Sequence, residues 1–462
     1  MAFSILLLAA ASLVRGSITI VDPSDYADLT ADAADNEILA DYTTDSGGPM
    51  YLLSAITGQY YYDDEDVTLA HETLSVDQND TSVIVGTEGS QVNLTYVTVV
   101  KEGYTTWLNQ ASFFGVNAAV NIANESTAYV THSNITVHNG AANLYAYGTG
   151  TTIYVDDVDL YSSGPISHGL YASGNGTFYA SNVRHYSGGN RASSFSGDTP
   201  AGYLYVTNSV AHTAGIGSAI FYTLGESYGT DILGETENAP CLFSDGAQTS
   251  VFTNVDFTCG LLAGTVMFSS SSRLSGASLT FENSRLTTTG EDMAALWFGN
   301  VIAEAEIIAT EIDTASGILV IANSSQVTQA FDYFAGSEEN SAISPAEVTV
   351  TVSESTLTGD IVAYNGSSIT WNLTNYSEWT GSARQGGSTN GSVTFSISVD
   401  ETSTWTLTKD VNLQSFTNAN SSLSNIKSQG YSIYYDSSNS DNSWLNKKTI
   451  SLSGGGKLKP SS

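Results

Sequence analysis

Four segments spaced by about 25 residues, Thr127-Ala-Tyr-Val, Thr152-Ile-Tyr-Val, Thr177-Phe-Tyr-Ala and Tyr203-Leu-Tyr-Val, bring a tyrosine to the same place each time. These are Tyr129, Tyr154, Tyr179 and Tyr205. Looser copies follow at Ser250-Val-Phe, Leu279-Thr-Phe, Ile307-Ile-Ala, Val348-Thr-Val and Ile369-Thr-Trp. From about residue 90 to about 400 there is almost no helical periodicity, only short β-rich runs broken by Gly, Asn, Ser and Asp. A fixed period on strands without intervening helices specifies a solenoid, in which each repeat buries its apolar face only by stacking on the next.

Other repeat architectures fit less well. A propeller blade needs about 40 residues, a leucine-rich repeat needs its Leu/Asn ladder, and a sandwich does not repeat its own sequence. The expected fold is therefore all-β: a single-stranded, right-handed parallel β-helix with coils of about 25 residues and a cap at each end. Equivalent residues of successive coils should lie about 4.8 Å apart and stack. Three residues beyond each repeated tyrosine stand His132, Asp157, Asn182 and Asn208. Small polar residues recurring there predict a turn whose Asn side chains hydrogen-bond along the axis.

The organisation follows. Residues 1–16 read as a secretory signal, with the apolar run Ile5 to Ala11 and a small-residue exit at Val14-Arg15-Gly16-Ser17. Residues 17–90, with Asp63-Asp-Glu-Asp66, are assigned to an N-terminal cap and first irregular coils, 91–400 to the β-helix, and 401–462 to a C-terminal cap and tail. No stretch is long and apolar enough to span a bilayer, and the polar C-terminus does not resemble a lipid-anchor signal. Acceptor triplets for N-glycosylation occur at Asn79, Asn93, Asn124, Asn134, Asn175, Asn323, Asn365, Asn372, Asn375, Asn390 and Asn420, so a secreted, extracellular or cell-wall-associated glycoprotein is expected. In an oxidising compartment Cys241 and Cys259, the two cysteines, should form one local disulfide.

The net charge of −34 reflects a shortage of cations, 13 Lys and Arg against 47 acidic residues. The resulting field repels nucleic acid and anionic lipid, because binding either depends on clustered cations, so no nucleic-acid partner is expected. It also disfavours an anionic polysaccharide unless a local basic patch overrides it.

The tandem pieces Gly-Thr-Phe-Tyr-Ala-Ser-Asn182-Val and Gly202-Tyr-Leu-Tyr-Val-Thr-Asn208-Ser resemble adhesin-like and autotransporter-passenger-like β-helix proteins. So do the closing Trp-x-Leu-Thr, Tyr-Tyr-Asp and Gly-Gly-Gly-x-Leu elements; together the likeness covers roughly residues 90 to 460. It implies the pectin-lyase-like fold rather than any one activity.

Candidate chemistry concentrates in a few coils. His132, His138, His168, His185 and His212 fall close together, among Asp156, Asp157, Asp159, Arg184, Arg191 and Asp198. Asp156-Asp157-Val-Asp159 followed by Ser163-Gly-Pro-Ile-Ser-His168-Gly169 is similar to the paired-Asp and Gly-His-Gly elements of β-helix polygalacturonases. There one carboxylic acid protonates the leaving oxygen and another activates water. No Asn-Thr-Asp precedes the pair here and no Arg-x-Lys follows. If the protein is an enzyme, the catalytic candidates are Asp156, Asp157, His168, His185 and Arg191. A lyase would need a cation on a uronate and a base at C5, with Arg184, Arg191 and Lys101 the candidates. No cofactor is implied and no His/Cys set has metal-ligand spacing.

Two functions remain. The first is binding or adhesion to a cell-wall or extracellular polysaccharide, through aromatic rows drawn from Tyr60, Tyr61, Tyr62, Trp107, Tyr145, Tyr147, Trp297, Trp371 and Trp379, unless these are core. The second is a glycoside hydrolase or polysaccharide lyase with its site on coils 130–215. The sequence carries no signal for an oligomeric state.

Overall fold

A computed structural model describes residues 55–105, 108–138, 142–324, 343–387 and 391–461. The signal segment 1–16, residues 17–54 of the expected N-terminal cap, Trp107 and Asn390 lie outside the described residues. The repeat folds as a parallel β-solenoid of about 15 coils. Each coil lays down three faces. In one coil Leu170–Ser173 forms the first face, and the long strand Gly176–Ser187 then bends at Asn182 to supply the second and third. Rungs are already regular at the first described strands, Gly58–Asp63 pairing with Ser82–Thr87 and Asp66–Ala70 with Gln91–Thr95.

Alternation with period two decides what enters the core. In the first part of the strand Thr127–Val137, Ala128 and Val130 are buried while Tyr129 between them is exposed. Because coils stack in register, one inward position becomes a row. It runs from Leu94 through Val130, Val155 and Ala180 to Phe281, Ile307, Leu373 and Val399. Where that row reaches Gly229, the side chains of Phe252, Ile232 and Phe221 close over the gap, and an added Cβ would meet all three at about 3 Å. The repeated tyrosines therefore form an outward row on the second face.

The corner between the second and third faces is turned by single residues in the left-handed region: His132, Asp157, Asn182, Asn208, Asp231 and Asn254, with φ from 45° to 56°. Asn and Asp tolerate that conformation better than other side chains with a Cβ, which explains their recurrence. The expected amide ladder forms in part: Asn208 Nδ2 donates to Asn182 Oδ1 at 2.5 Å, and Asn254 Nδ2 to Asp231 Oδ1 at 3.1 Å.

This corner interrupts the backbone ladder, and hydroxyls repair it. Val183 N–H donates to Ser209 Oγ one coil on (3.1 Å), and Val255 N–H does the same to Ser284 Oγ (3.1 Å). Each hydroxyl in turn donates to the carbonyl two residues before it, Ser209 to Thr207 and Ser284 to Glu282. Ser284, Thr310, Ser355 and Ser377 continue the same relay toward the C-terminal end.

Parallel rungs persist late in the chain, where Trp379 and Trp405 occupy paired positions and stack in the core (centroids 5.0 Å apart, planes within 11°). Their Nε1 groups donate to the carbonyls of Gly359 and Gly381. The last pairing is antiparallel, Ile450–Ser451 against Lys457–Pro460. Cys241 and Cys259 are disulfide-bonded with Cα atoms 5.4 Å apart, joining the beginning and end of one coil.

The hydroxyl relay yields a test. Ser209→Ala leaves the Val183 amide buried without its acceptor and should cost about 1–3 kcal/mol. Thr177→Ala, half-exposed on the second face, should stay within about 0.5 kcal/mol of the parent. Urea unfolding of both variants checks this, and equal effects would remove the relay's special role.

Candidate active site

The first face carries the deepest chemistry. Its outward row passes through Tyr145, Tyr171, Ser196, Tyr222 and Phe243, all in register. These residues point away from the core and are nevertheless largely covered. The short helix Leu108–Phe114 lies over one end: Tyr145 OH donates to the Ser112 carbonyl (2.7 Å), and Ser173 Oγ to that of Phe113 (2.8 Å). Where the cover ends, a cleft of about 240 Å³ opens, lined by Ile166, His168, Tyr171, Arg191, Asp198, Tyr222 and Asp245 among others.

Two carboxylates define it. One residue beyond the paired Ala172, Gly197, Thr223 and Ser244 come Ser173, Asp198, Leu224 and Asp245, so Asp198 and Asp245 occupy one outward row two coils apart. Asp198 is only 6% exposed. Its Oδ2 accepts the Tyr171 hydroxyl at 2.5 Å and its Oδ1 the Thr199 N–H at 2.6 Å. Burial pushes its pKa above the ordinary carboxylate value, against those hydrogen bonds and the Arg191 charge. Burial likewise raises Asp245, the Ser270 hydrogen bonds oppose this, and the neighbouring Asp198 raises it further. Both carboxyl groups are thus held above the ordinary carboxylate value within one cleft. Tyr222 is pushed well up by burial and then by both carboxylates.

His168 completes the wall. Its Nδ1 accepts the Ser193 N–H (3.1 Å) and meets Ser196 Oγ at 2.7 Å. The neutral ring therefore carries its proton on Nε2. Burial lowers its pKa to about 3, leaving it neutral at ordinary pH. Its ring tilts against Tyr171 with centroids 4.2 Å apart. Ile166 and Arg191, both lining the cleft, take φ of +54°. For a β-branched residue that is a strained conformation, of the kind that collects at functional sites.

The sequence candidates divide. His168 and Arg191 line the cleft. His185 lies inside the solenoid behind them, its Nδ1 on Ser194 Oγ (2.8 Å) and its Nε2 on Ser162 Oγ (3.0 Å). Asp156 and Asp157 stand elsewhere, at the corner between the second and third faces. Ser181 and Asn182 hold Asp156 and lower its pKa, and Arg184 pairs with Asp157 (2.9 Å) and with Asp159. His132 occupies the corner, His138 follows the third-face strand that ends at Val137, and His212 pairs with Glu237. Of the aromatic candidates, Tyr145, Trp297, Trp371 and Trp379 are buried, while Tyr61 is 47% exposed. Lys101 is buried among backbone carbonyls, its pKa lowered by burial to about 8.

The sequence reading missed Asp245, Tyr171 and Tyr222. Asp245 falls outside coils 130–215, and only alignment of the first-face strands, which the tyrosine repeat does not mark, pairs it with Asp198. Among the described residues no group of His, Cys, Asp and Glu is placed to hold a metal ion, and no helix is long and apolar enough to cross a membrane. No known protein family, curated protein or solved structure matches the chain.

The buried histidines impose a pH signature. His185 is also lowered to about 3 by burial, reinforced by His168. An unfolded histidine takes its proton near pH 6.5 and these do not, so stability should fall as pH drops from about 6.5 toward 3, by up to about 1.4 kcal/mol per pH unit for each ring. Asp198 and Asp245, with raised folded values, act in the opposite sense, gaining stability as pH falls through their window. His185→Gln isolates one ring: its stability relative to the parent should improve progressively from about pH 6 to pH 4. Urea titrations at each pH read this, and a pH-independent difference would refute it.

Proposed function

We propose that this protein is an extracellular polysaccharide-active enzyme, a glycoside hydrolase whose acid and base are Asp198 and Asp245. One observation carries the reading: two carboxyl groups with raised pKa share an outward row of one cleft, two coils apart. Hydrolysis of a glycosidic bond needs one such group protonated, to give its proton to the leaving oxygen, and another ionised, to activate water or attack the sugar. Two carboxyl groups in unlike surroundings, Asp198 held by Tyr171 and Thr199 and Asp245 by Ser270, can divide those roles. Tyr171, donating to Asp198, fixes that carboxyl in place, and neutral His168 offers its Nε2 proton to a sugar hydroxyl.

The charge of the cleft supports one substrate class over another. Arg191 is its one cation among the described lining residues, and two carboxyl groups face it. A uronate polymer would bring further negative charge to a chain of net charge −34, so a neutral glycan is the substrate proposed here. The same count argues against a lyase, which needs a cation on the substrate carboxylate.

A binding role has an observation of its own. Beside the tyrosine row of the second face runs a groove of about 440 Å³ along Tyr129, Tyr154, Tyr179 and Tyr205, edged by Thr131, Ser181 and Thr207. It offers an extended glycan an apolar wall and a hydrogen-bonding wall, which is the adhesive reading. Secretion and glycosylation belong to the same proposal. The ten described acceptor asparagines all keep side-chain exposure.

A panel of neutral and uronic polysaccharides, read for new reducing ends and for unsaturated uronates, tests the enzyme reading. Reducing ends from a neutral polymer are expected, with kcat falling about 10²–10⁴-fold in Asp198→Asn and in Asp245→Asn. The acidic limb of the pH profile should sit above the ordinary carboxylate value. Retention on a polymer without product would favour adhesion, and unsaturated uronates would convert the protein into a lyase.

A further inference from the structure

The tyrosine row has a second property that glycan binding does not use. Tyr129, Tyr154, Tyr179, Tyr205 and Tyr228 stack ring on ring through five successive coils, with centroids 5.0, 5.4, 4.9 and 5.1 Å apart and planes within 14° of parallel. Three of them, Tyr129, Tyr154 and Tyr179, are 41%, 39% and 44% exposed. The molecule contains the two partial controls. Tyr161 and Tyr186 stack just as parallel, with centroids 5.9 Å apart, but are buried. Tyr376 is the most exposed at 77%, and Tyr96 (53%) stacks between His71 and His132 rather than on another phenol. Among the described residues, the second-face row combines phenol-on-phenol stacking with access from solvent.

We propose that this row is a site of oxidative cross-linking, at which hydrogen peroxide and a haem peroxidase join neighbouring coils through dityrosine. Each of two adjacent phenols gives up one electron and one proton, the peroxide being reduced to two waters. The paired phenoxyl radicals form a carbon–carbon bond between ring positions ortho to the hydroxyls. The hydrogens on those carbons then shift to the oxygens, restoring both aromatic rings, so each link removes two hydrogen atoms from the chain. Register supplies what this second-order coupling otherwise lacks, a partner radical held at contact distance. An exposed ring can still turn from the stacked to the bonded geometry, because its terminal torsion is broad. The link would tie coils about 25 residues apart in sequence, a role the single disulfide, confined to one coil, does not fill.

The test treats the full-length protein at low concentration with a haem peroxidase and a limiting amount of hydrogen peroxide. Dityrosine fluorescence, intact mass and the linked peptides are then read. The expected product is a monomer lighter by two hydrogens per link, with the bonds mapping to 129–154, 154–179 or 179–205. Tyr154→Phe keeps the ring and the stack but removes the central phenol. It should abolish the first two links and lower the fluorescence several-fold, with an unchanged far-ultraviolet spectrum showing that the fold is intact. Tyr376→Phe should leave the yield unchanged. Links that form dimers through Tyr376 would mean that exposure alone decides the chemistry, and would overturn the proposal. So would links at Tyr161–Tyr186, or no dityrosine at all.

Discussion

Parallel backbone hydrogen bonds between successive coils fix which side chains are neighbours throughout this protein. Once a strand of one coil is in register with the next, an inward valine continues an inward row and an outward tyrosine an outward one. A slip by one residue would exchange the two sets. The register is held at the corner between the second and third faces, where one left-handed residue per coil turns the chain. The hydroxyl that follows it in the next coil accepts the amide this turn leaves without a partner. A small number of Asn, Asp and Ser positions therefore governs the placement of much larger side chains.

The same constraint explains why the cleft and the tyrosine row differ in chemistry although both are outward rows. Among the described residues, the second face leaves the phenols of Tyr129, Tyr154 and Tyr179 exposed. On the first face the helix Leu108–Phe114 and the bends near Ile166 and Arg191 cover the strands. Covering withdraws water from Asp198 and Asp245, and desolvation raises their pKa more than Tyr171, Thr199 and Ser270 lower it. Burial, not the residue types alone, converts two aspartates in a chain with 47 acidic residues into a candidate acid–base pair.

Much of the fold was legible in the sequence for a physical reason: a solenoid writes its period into the chain. The spacing of Tyr129, Tyr154, Tyr179 and Tyr205 is the coil length, and the positions of His132, Asp157, Asn182 and Asn208 are the turn. The direction in which the tyrosines point was not legible, since alternation in a single strand is symmetric between its faces. The site was legible in part. His168 and Arg191 are where a groove was sought, but Asp156 and Asp157 attract attention as a local pair and lie at the corner instead. Adjacent residues on one strand point to opposite sides, so proximity in sequence is a poor guide here. Proximity at multiples of the coil length is the better one, and it brings Asp245 to Asp198.

Charge then links the two outward sites. A cleft with one arginine and two carboxyl groups meets a neutral polymer without the repulsion that a uronate chain would bring, and a face of phenols and hydroxyls does the same. Both surfaces are therefore compatible with the proposed class of ligand, by different means. In the cleft, the histidine that could have added positive charge is held neutral, because its Nδ1 is committed to the Ser193 amide and its ring is buried. A protonated His168 would put positive charge on the wall of the same cleft and favour the ionised form of its carboxyl groups, against the raised values on which the acid–base reading depends. Keeping that imidazole uncharged is therefore as much a condition of the proposed chemistry as the two aspartates themselves.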